Sequence, residues 1–175
     1  MTATKKLIYI FTTFKNKYHM KKLLVAFSIL TFFISCTSDS GLERIPDKID
    51  YSVENEKEIT DYLTKNNLTA QKTSTGLHYI ITEEGTGKQP TSQSNVTVTY
   101  KGTLTNGTVF DQNASGATFP LSKLILGWQQ GLSFFKEGGS GILFVPAHLG
   151  YGSSKVENIP AGSVLIFEIK LISVN

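Results

Sequence analysis

Tyr100, Phe110, Asp111, Phe119, Ile125, Trp128, Tyr151, Ile159 and Phe167 are the side chains of this chain best suited to line a site. They are aromatic or aliphatic with a single acid among them, and they include neither a nucleophile nor a metal-ligand set. Such a cup suits chemistry in which no covalent bond is made or broken, for instance rotation about an existing bond. Taken singly, each is accounted for as ordinary core. Their order, and the elements that carry them, give the set its meaning.

Those elements follow from periodicity. Val96-Thr97-Val98-Thr99-Tyr100 alternates with period two, which places Val96, Val98 and Tyr100 on one face of a strand. Asn106-Gly107 signals a hairpin in which both central residues take positive φ, with Val109-Phe110 opening the return strand. Leu77 to Thr82 and Gly141 to Pro146 read as further strands. In Val164 to Val174, Leu165, Phe167, Ile169 and Leu171 share a face while Glu168 and Lys170 point away. Ile125, Trp128, Leu132 and Phe135 recur at spacings of 3, 4 and 3, one face of a helix, with Gly138-Gly139 as its stop. An earlier helix is expected from about Val53 to Asn66, capped by Ser52 and favoured by Glu54, Glu56 and Glu58. Its stripe of Ile59, Tyr62 and Leu63 leans on its own domain or on a second copy. The fold class is therefore α+β, an antiparallel sheet of five to six strands wrapped on one short helix and preceded by an N-terminal helix.

Six segments carry a family resemblance. They are Val98-Thr99-Tyr100-Lys101-Gly102, Asn106 through Asp111, Thr118-Phe119-Pro120-Leu121, Leu124-Ile125-Leu126-Gly127-Trp128, Leu149-Gly150-Tyr151-Gly152, and Ile159 through Glu168. In that order they closely resemble the FKBP-type peptidyl-prolyl cis-trans isomerases, over roughly Ser74 to Val174. The helix before them and the Gly-Leu-His-Tyr start at Gly76 resemble the bacterial, membrane-anchored or periplasmic branch. The resemblance implies catalytic roles for Tyr100, Phe110, Asp111, Tyr151, Ile159 and Phe167. It implies substrate-binding roles for Phe119, Leu124, Ile125 and Trp128. Trp128 is then the floor under the substrate proline, and Tyr151 O–H and the Ile159 N–H donate to substrate carbonyls. Asp111 sits beside the twisting amide. No cofactor is called for, and macrolide inhibitors are implied ligands. Two departures stand out: Gln112 to Ala117 supplies no cation for Asp111, which is then expected to rest on backbone donors, and Asn158 makes the lip before Ile159 more polar.

Charge narrows the partners. All six Lys of residues 1–35 precede Cys36 and no acid does, so the formal +3 leaves 11 basic residues against 14 acidic ones beyond that segment. A mildly acidic domain has no electrostatic footprint for nucleic acid. Met20-Lys21-Lys22, the apolar run Leu23 to Ile34, and Ser35-Cys36 form a signal segment, too short for a membrane span of about 20 residues. Phe33-Ile34-Ser35-Cys36 resembles a lipobox, which makes Cys36, the only cysteine, a lipidation site, with translation expected to begin at Met20. Thr37 after the anchor points to the outer membrane of a bacterial envelope, the domain facing periplasm or exterior. The organisation expected is 1–35 signal, 36–51 tether, 52–73 helix and linker, and 74–175 isomerase domain.

Three other features have plain readings. His148 is a polar loop residue, since bond rotation moves no proton. His78 alternates with Leu77 and Tyr79 and is placed on the outer face of its strand. Gly85-Thr86-Gly87 lacks the Gly-Lys-Ser ending of a phosphate loop and reads as a turn.

Overall fold

Alternating apolar residues build most of what the computed structural model describes, residues 49–175. The expected signal segment, Cys36 and most of the expected tether lie outside that range. Six strands pair throughout as antiparallel neighbours: β1 (Gln71–Lys72), β2 (His78–Glu83), β3 (Asn95–Leu104), β4 (Val109–Pro120), β5 (Ser140–Val145) and β6 (Leu165–Val174). Their order across the sheet is β1-β2-β5-β6-β3-β4. Two helices accompany them, α1 (Ser52–Lys65) and α2 (Leu126–Gly131), the latter continued by a 3₁₀ turn at Leu132–Phe134.

The main core lies between α2 and one face of the sheet. Trp128, Leu132 and Phe135 meet Val96, Val98, Leu143, Leu165, Phe167, Ile169 and Leu171 there. The short helix sits almost on the strand. A Cβ on Gly127 would come within 2.4 Å of Val145, and one on Gly131 within 2.4 Å of Leu143. Substitution of either would lift α2 and, with it, Trp128.

A second, smaller core occupies the opposite face. Ile59 of α1 is buried against Phe144, Val164 and Ile166, with Tyr62 and Leu63 at its edge and the Tyr62 and Phe144 rings 5.9 Å apart. The stripe on α1 thus docks on its own domain. That contact corrects the placement of His78, which is 4% exposed on the α1-covered side of β2. His78 does alternate with Leu77 and Tyr79, but the face of β2 opposite the main core is covered by α1.

Three local expectations also change. Asp50, not Ser52, serves the start of α1, its Oδ1 accepting the Ser52 N–H at 2.9 Å, and Ser52 is the first helical residue. At the β3–β4 turn only Gly107 has positive φ (87°). Asn106 instead accepts the Thr108 N–H on its side-chain Oδ1 at 2.9 Å, a local bond that a short amide side chain makes readily. The α2 segment ends before the glycines, because buried Phe135 already turns extended. Gly138 (φ 88°) shapes the later turn into β5, its N–H reaching the Leu171 carbonyl at 2.8 Å.

Candidate functional site

The floor of the site is Trp128, 4% exposed and set by α2 against β3 and β6. Its ring stands edge-on to Tyr100 of β3 (centroids 5.3 Å, 86°) and to Phe167 of β6 (5.2 Å, 87°). Phe110 stands edge-on to Phe167 at 5.5 Å, and Phe119 to Tyr100 at 6.4 Å. Five rings therefore form a continuous edge-to-face series, each contact contributing about 0.5–1.5 kcal/mol beyond burial. With Leu124, Ile125, Asp111 and Tyr151 they line a cavity of about 150 Å³. Pockets for drug-sized ligands measure about 300–1,000 Å³, so this smaller cup has room for one compact apolar ring. Broader concavities of about 460 Å³ and 440 Å³ lie on the outer sheet face and beside α1. They are open and edged by charged or hydroxyl side chains such as Lys101, Glu168, Glu56 and Lys72.

Strand irregularities aim these side chains. Between the pairs Val98–Ala117 and Tyr100–Asn113, β4 advances four residues while β3 advances two. Asn113 Oδ1 holds the extra residues by accepting the Ser115 and Gly116 N–H groups at 3.0 and 2.9 Å. The resulting bend lets Phe110 and Phe119, at opposite ends of one strand, reach the same cup. Gly102, which pairs with both Asp111 and Phe167, makes space for it: a Cβ there would lie 2.6 Å from the Phe110 ring and 3.1 Å from Phe167. Sequence reasoning did not single out Gly102. Its place two residues after Tyr100 on the same strand face was the available signal.

The acid is held differently from expectation. Tyr100 Oη donates to Asp111 Oδ2 at 2.7 Å, a bond between side chains where backbone donors were expected. Burial, then the hydrogen bond and charge of Asp111, push the Tyr100 phenol up to about 12. Tyr151, 39% exposed at the rim, is also raised, first by burial and then by the charges of Asp111 and Glu157. Both phenols therefore remain proton donors across the physiological range.

Residues 86–172 match the family model described as FKBP-type peptidyl-prolyl cis-trans isomerase. The chain belongs to the FKBP-type peptidyl-prolyl cis-trans isomerase family. An FKBP-type isomerase, FkpA, from Buchnera aphidicola subsp. Schizaphis graminum is 47% identical over 107 residues, 59% of this chain and 42% of that protein. The isomerase Mip of Coxiella burnetii is 40% identical over 114 residues, 63% of this chain and 50% of that one. The chain thus matches half or less of the length of these curated relatives. Among solved structures, Escherichia coli FkpA superposes with a TM-score of 0.64 at 36% identity, covering 71% of this chain and 61% of that chain.

Eight of the nine residues named at the outset line the FKBP cup, together with Leu124. Ile159 does not. It is 5% exposed within the main core, and its N–H, expected to face a substrate carbonyl, donates to the Val156 carbonyl at 2.7 Å. Its carbonyl accepts the Val156 N–H in return at 3.0 Å, closing a tight turn in which Glu157 has φ 47°. Ile159 instead borders a polar side cleft with Val156, Glu157 and Asn158, which shares Phe110, Asp111 and Tyr151 with the cup. Glu157 is a cleft residue that no motif or periodicity singles out. His148 lies elsewhere, its Nε2 2.9 Å from the Thr75 carbonyl oxygen.

Proposed function

We propose that this chain is a peptidyl-prolyl cis-trans isomerase acting on proline-containing segments of unfolded polypeptides. The observation that carries this reading is the series of edge-to-face rings around Trp128, with Asp111 held at its rim by Tyr100. Rotation of an X–Pro bond breaks amide resonance against a barrier of roughly 18–20 kcal/mol. A dry ring-sized cup suits the pyrrolidine and disfavours the polar planar amide, while donors such as Tyr151 O–H fix the flanking carbonyls in a twisted geometry. Lowering the barrier by about 5–7 kcal/mol accelerates turnover roughly 10⁴–10⁵-fold. None of these steps requires a cofactor, and a larger macrocycle would bind by spanning cup and rim.

A second reading has one observation in its favour. With the Ile159 N–H engaged by Val156, the cup has one donor fewer for a twisted amide, as suits a module that holds proline-containing or apolar segments without turnover. A protease-coupled proline-peptide assay separates the two. Catalysis abolished in Phe167→Ala supports the isomerase, whereas peptide binding without turnover by the unmodified protein overturns it.

The proposal extends to location. Cys36, at the end of the apolar run and behind six lysines, is the lipidated first residue of a mature chain on a bacterial envelope membrane, the outer one by the identity of Thr37. The clients are then newly exported chains, whose slow prolyl steps limit folding. Labelled fatty acid should enter the protein and be lost in Cys36→Ser; label retained in that variant refutes the anchor. Membrane fractionation reads the destination.

A further inference from the structure

A closed ring of hydrogen bonds ties the N-terminal helix to the loops of the cup. Asn55 of α1 is 2% exposed, and its side-chain amide has a partner on each side. Its Nδ2 donates to the Gly162 carbonyl at 2.9 Å, and its Oδ1 accepts the Ala147 N–H at 2.7 Å. The Gly162 N–H donates to the Gly152 carbonyl at 2.9 Å, and the Gly152 N–H to the Ala147 carbonyl at 2.7 Å. Four bonds therefore run Asn55 to Gly162 to Gly152 to Ala147 and back to Asn55. The amide accepts at one terminal atom and donates from the other, so the two partners fix which amide atom points which way.

The ring sits at the neck of the site. Ala147 O also accepts the Gly150 N–H at 2.9 Å, so its two bonds bracket Tyr151. Residues 153–161, which carry Val156, Glu157, Asn158 and Ile159 to the side cleft, hang between Gly152 and Gly162. Tyr51, just before α1, presses its ring on Gly162, where an added Cβ would lie 2.4 Å from Cε1 and φ is 75°. Asn55 and Tyr51 both lie outside residues 86–172, the stretch that matches the family model. The floor and walls of the cup are on α2, β3, β4 and β6, which the ring does not touch.

We infer that Asn55 is a positioning residue: by closing this ring it holds Tyr151 and the 153–161 loop at the mouth of the cup, making α1 a working part of the site. The kinetic half of the claim rests on the isomerase reading, while the structural half does not. Asn55 variants should therefore lower kcat while leaving KM, set by the apolar cup, nearly unchanged.

The test uses the full chain. Asn55→Asp keeps the acceptor for Ala147 and loses the donor to Gly162; Asn55→Leu keeps the volume and loses both. Ile59→Val, one turn along α1, loosens the helix without touching the ring and serves as the control. Misplacing groups at a reacting centre by small distances costs one to two orders of magnitude, so kcat should fall about tenfold in both Asn55 variants with KM changed less than about threefold. Ile59→Val should retain its kcat. Amide hydrogen exchange adds a readout independent of catalysis and of variants. In the unmodified protein the Ala147, Gly152 and Gly162 amides should open together, more slowly than those of Glu157 and Asn158; in Asn55→Asp the Gly152 and Gly162 amides should exchange about tenfold faster while Trp128 is unmoved. Independent or loop-like exchange of the ring amides overturns the inference. So does a folded Asn55→Asp with full kcat, or an equal loss of kcat in Ile59→Val. If the unmodified protein shows no turnover, the isomerase reading fails, and the exchange rates alone decide the ring.

Discussion

Replacing Tyr100 with Phe isolates what holds Asp111. The ring and its contacts to Trp128 at 5.3 Å and Phe119 at 6.4 Å are kept, and only the O–H that donates to Asp111 at 2.7 Å is removed. Hydrogen bonds to charged groups contribute about 1.5–3 kcal/mol net. Asp111 is exposed, so water replaces part of the loss, and the lower end of that range, about 1.5 kcal/mol, is the appropriate figure. If the bond serves to aim the carboxylate at a twisting amide, that amounts to about a tenfold loss in kcat/KM. Asp111→Asn should lose at least as much, since it removes the charge that the phenol orients even though an amide oxygen can still accept the Tyr100 O–H. The decisive measurement is a double-mutant cycle in a prolyl-peptide assay. Tyr100→Phe/Asp111→Asn should be no worse than the Asp111 variant alone, a coupling of about 1–1.5 kcal/mol. Additive losses, or a fully active Tyr100→Phe, would refute the claim that the phenol works through the acid.

Other outcomes follow from the same geometry. Trp128 is the only tryptophan and the floor of the cup, so a proline peptide or macrocycle entering it should alter the intrinsic fluorescence; unchanged emission at saturating ligand would place binding elsewhere. Phe167→Ala empties a core position as well as a wall, and chemical denaturation should show a loss of about 3–5 kcal/mol alongside the loss of activity. The Tyr100 phenol should show no ionisation below pH 10 by phenolate absorbance. Its folded value of about 12 lies above the ordinary phenol value of 10.0, so its contribution to stability is complete below pH 10 and lost as pH rises through 12. Because burial is the larger cause, Asp111→Asn should lower that value without returning it to 10. Asp111 and Glu157 flank Tyr151 in the side cleft, so peptides with Lys before the proline should turn over faster than those with Glu, by a margin that shrinks as salt is added; equal rates at low salt would exclude the field.

Periodicity made the walls of the cup legible. Tyr100 and Phe167 could be placed on the core face because alternation in β3 and β6 is a local property, and Trp128 because a 3-4-3 spacing is. What escaped depended on partners far along the chain. His78 was misplaced because whether a strand's second face is covered depends on a helix packing from some twenty residues earlier. The Tyr100–Asp111 bond follows a register shift near the turn, where Thr103 pairs with Val109 but Gly102 with Asp111, and sequence alternation alone does not locate a bulge. The Ile159 N–H was misjudged for a different reason. Its partner, Val156, is only three residues away, but the pairing requires Glu157 at φ 47°, a conformation its residue type does not advertise.

The missing cation after Asp111 acquires a consequence once the register is known. An arginine there would neutralise the acid while orienting it. A phenol orients it and leaves its charge in place. That charge is felt at Tyr151, whose phenol is raised by Asp111 and Glu157 together, so the mouth of the cup carries an uncompensated negative field while its floor is apolar. The two properties act on different parts of a substrate. The floor selects the pyrrolidine ring by shape and dryness, and the mouth acts on whatever precedes it through long-range charge, which salt can screen. Substrate preference should therefore separate into a salt-insensitive part that follows Trp128 and Phe167 and a salt-sensitive part that follows Asp111 and Glu157. A preference that moved as one quantity under both kinds of substitution would mean the cup and the cleft are a single site.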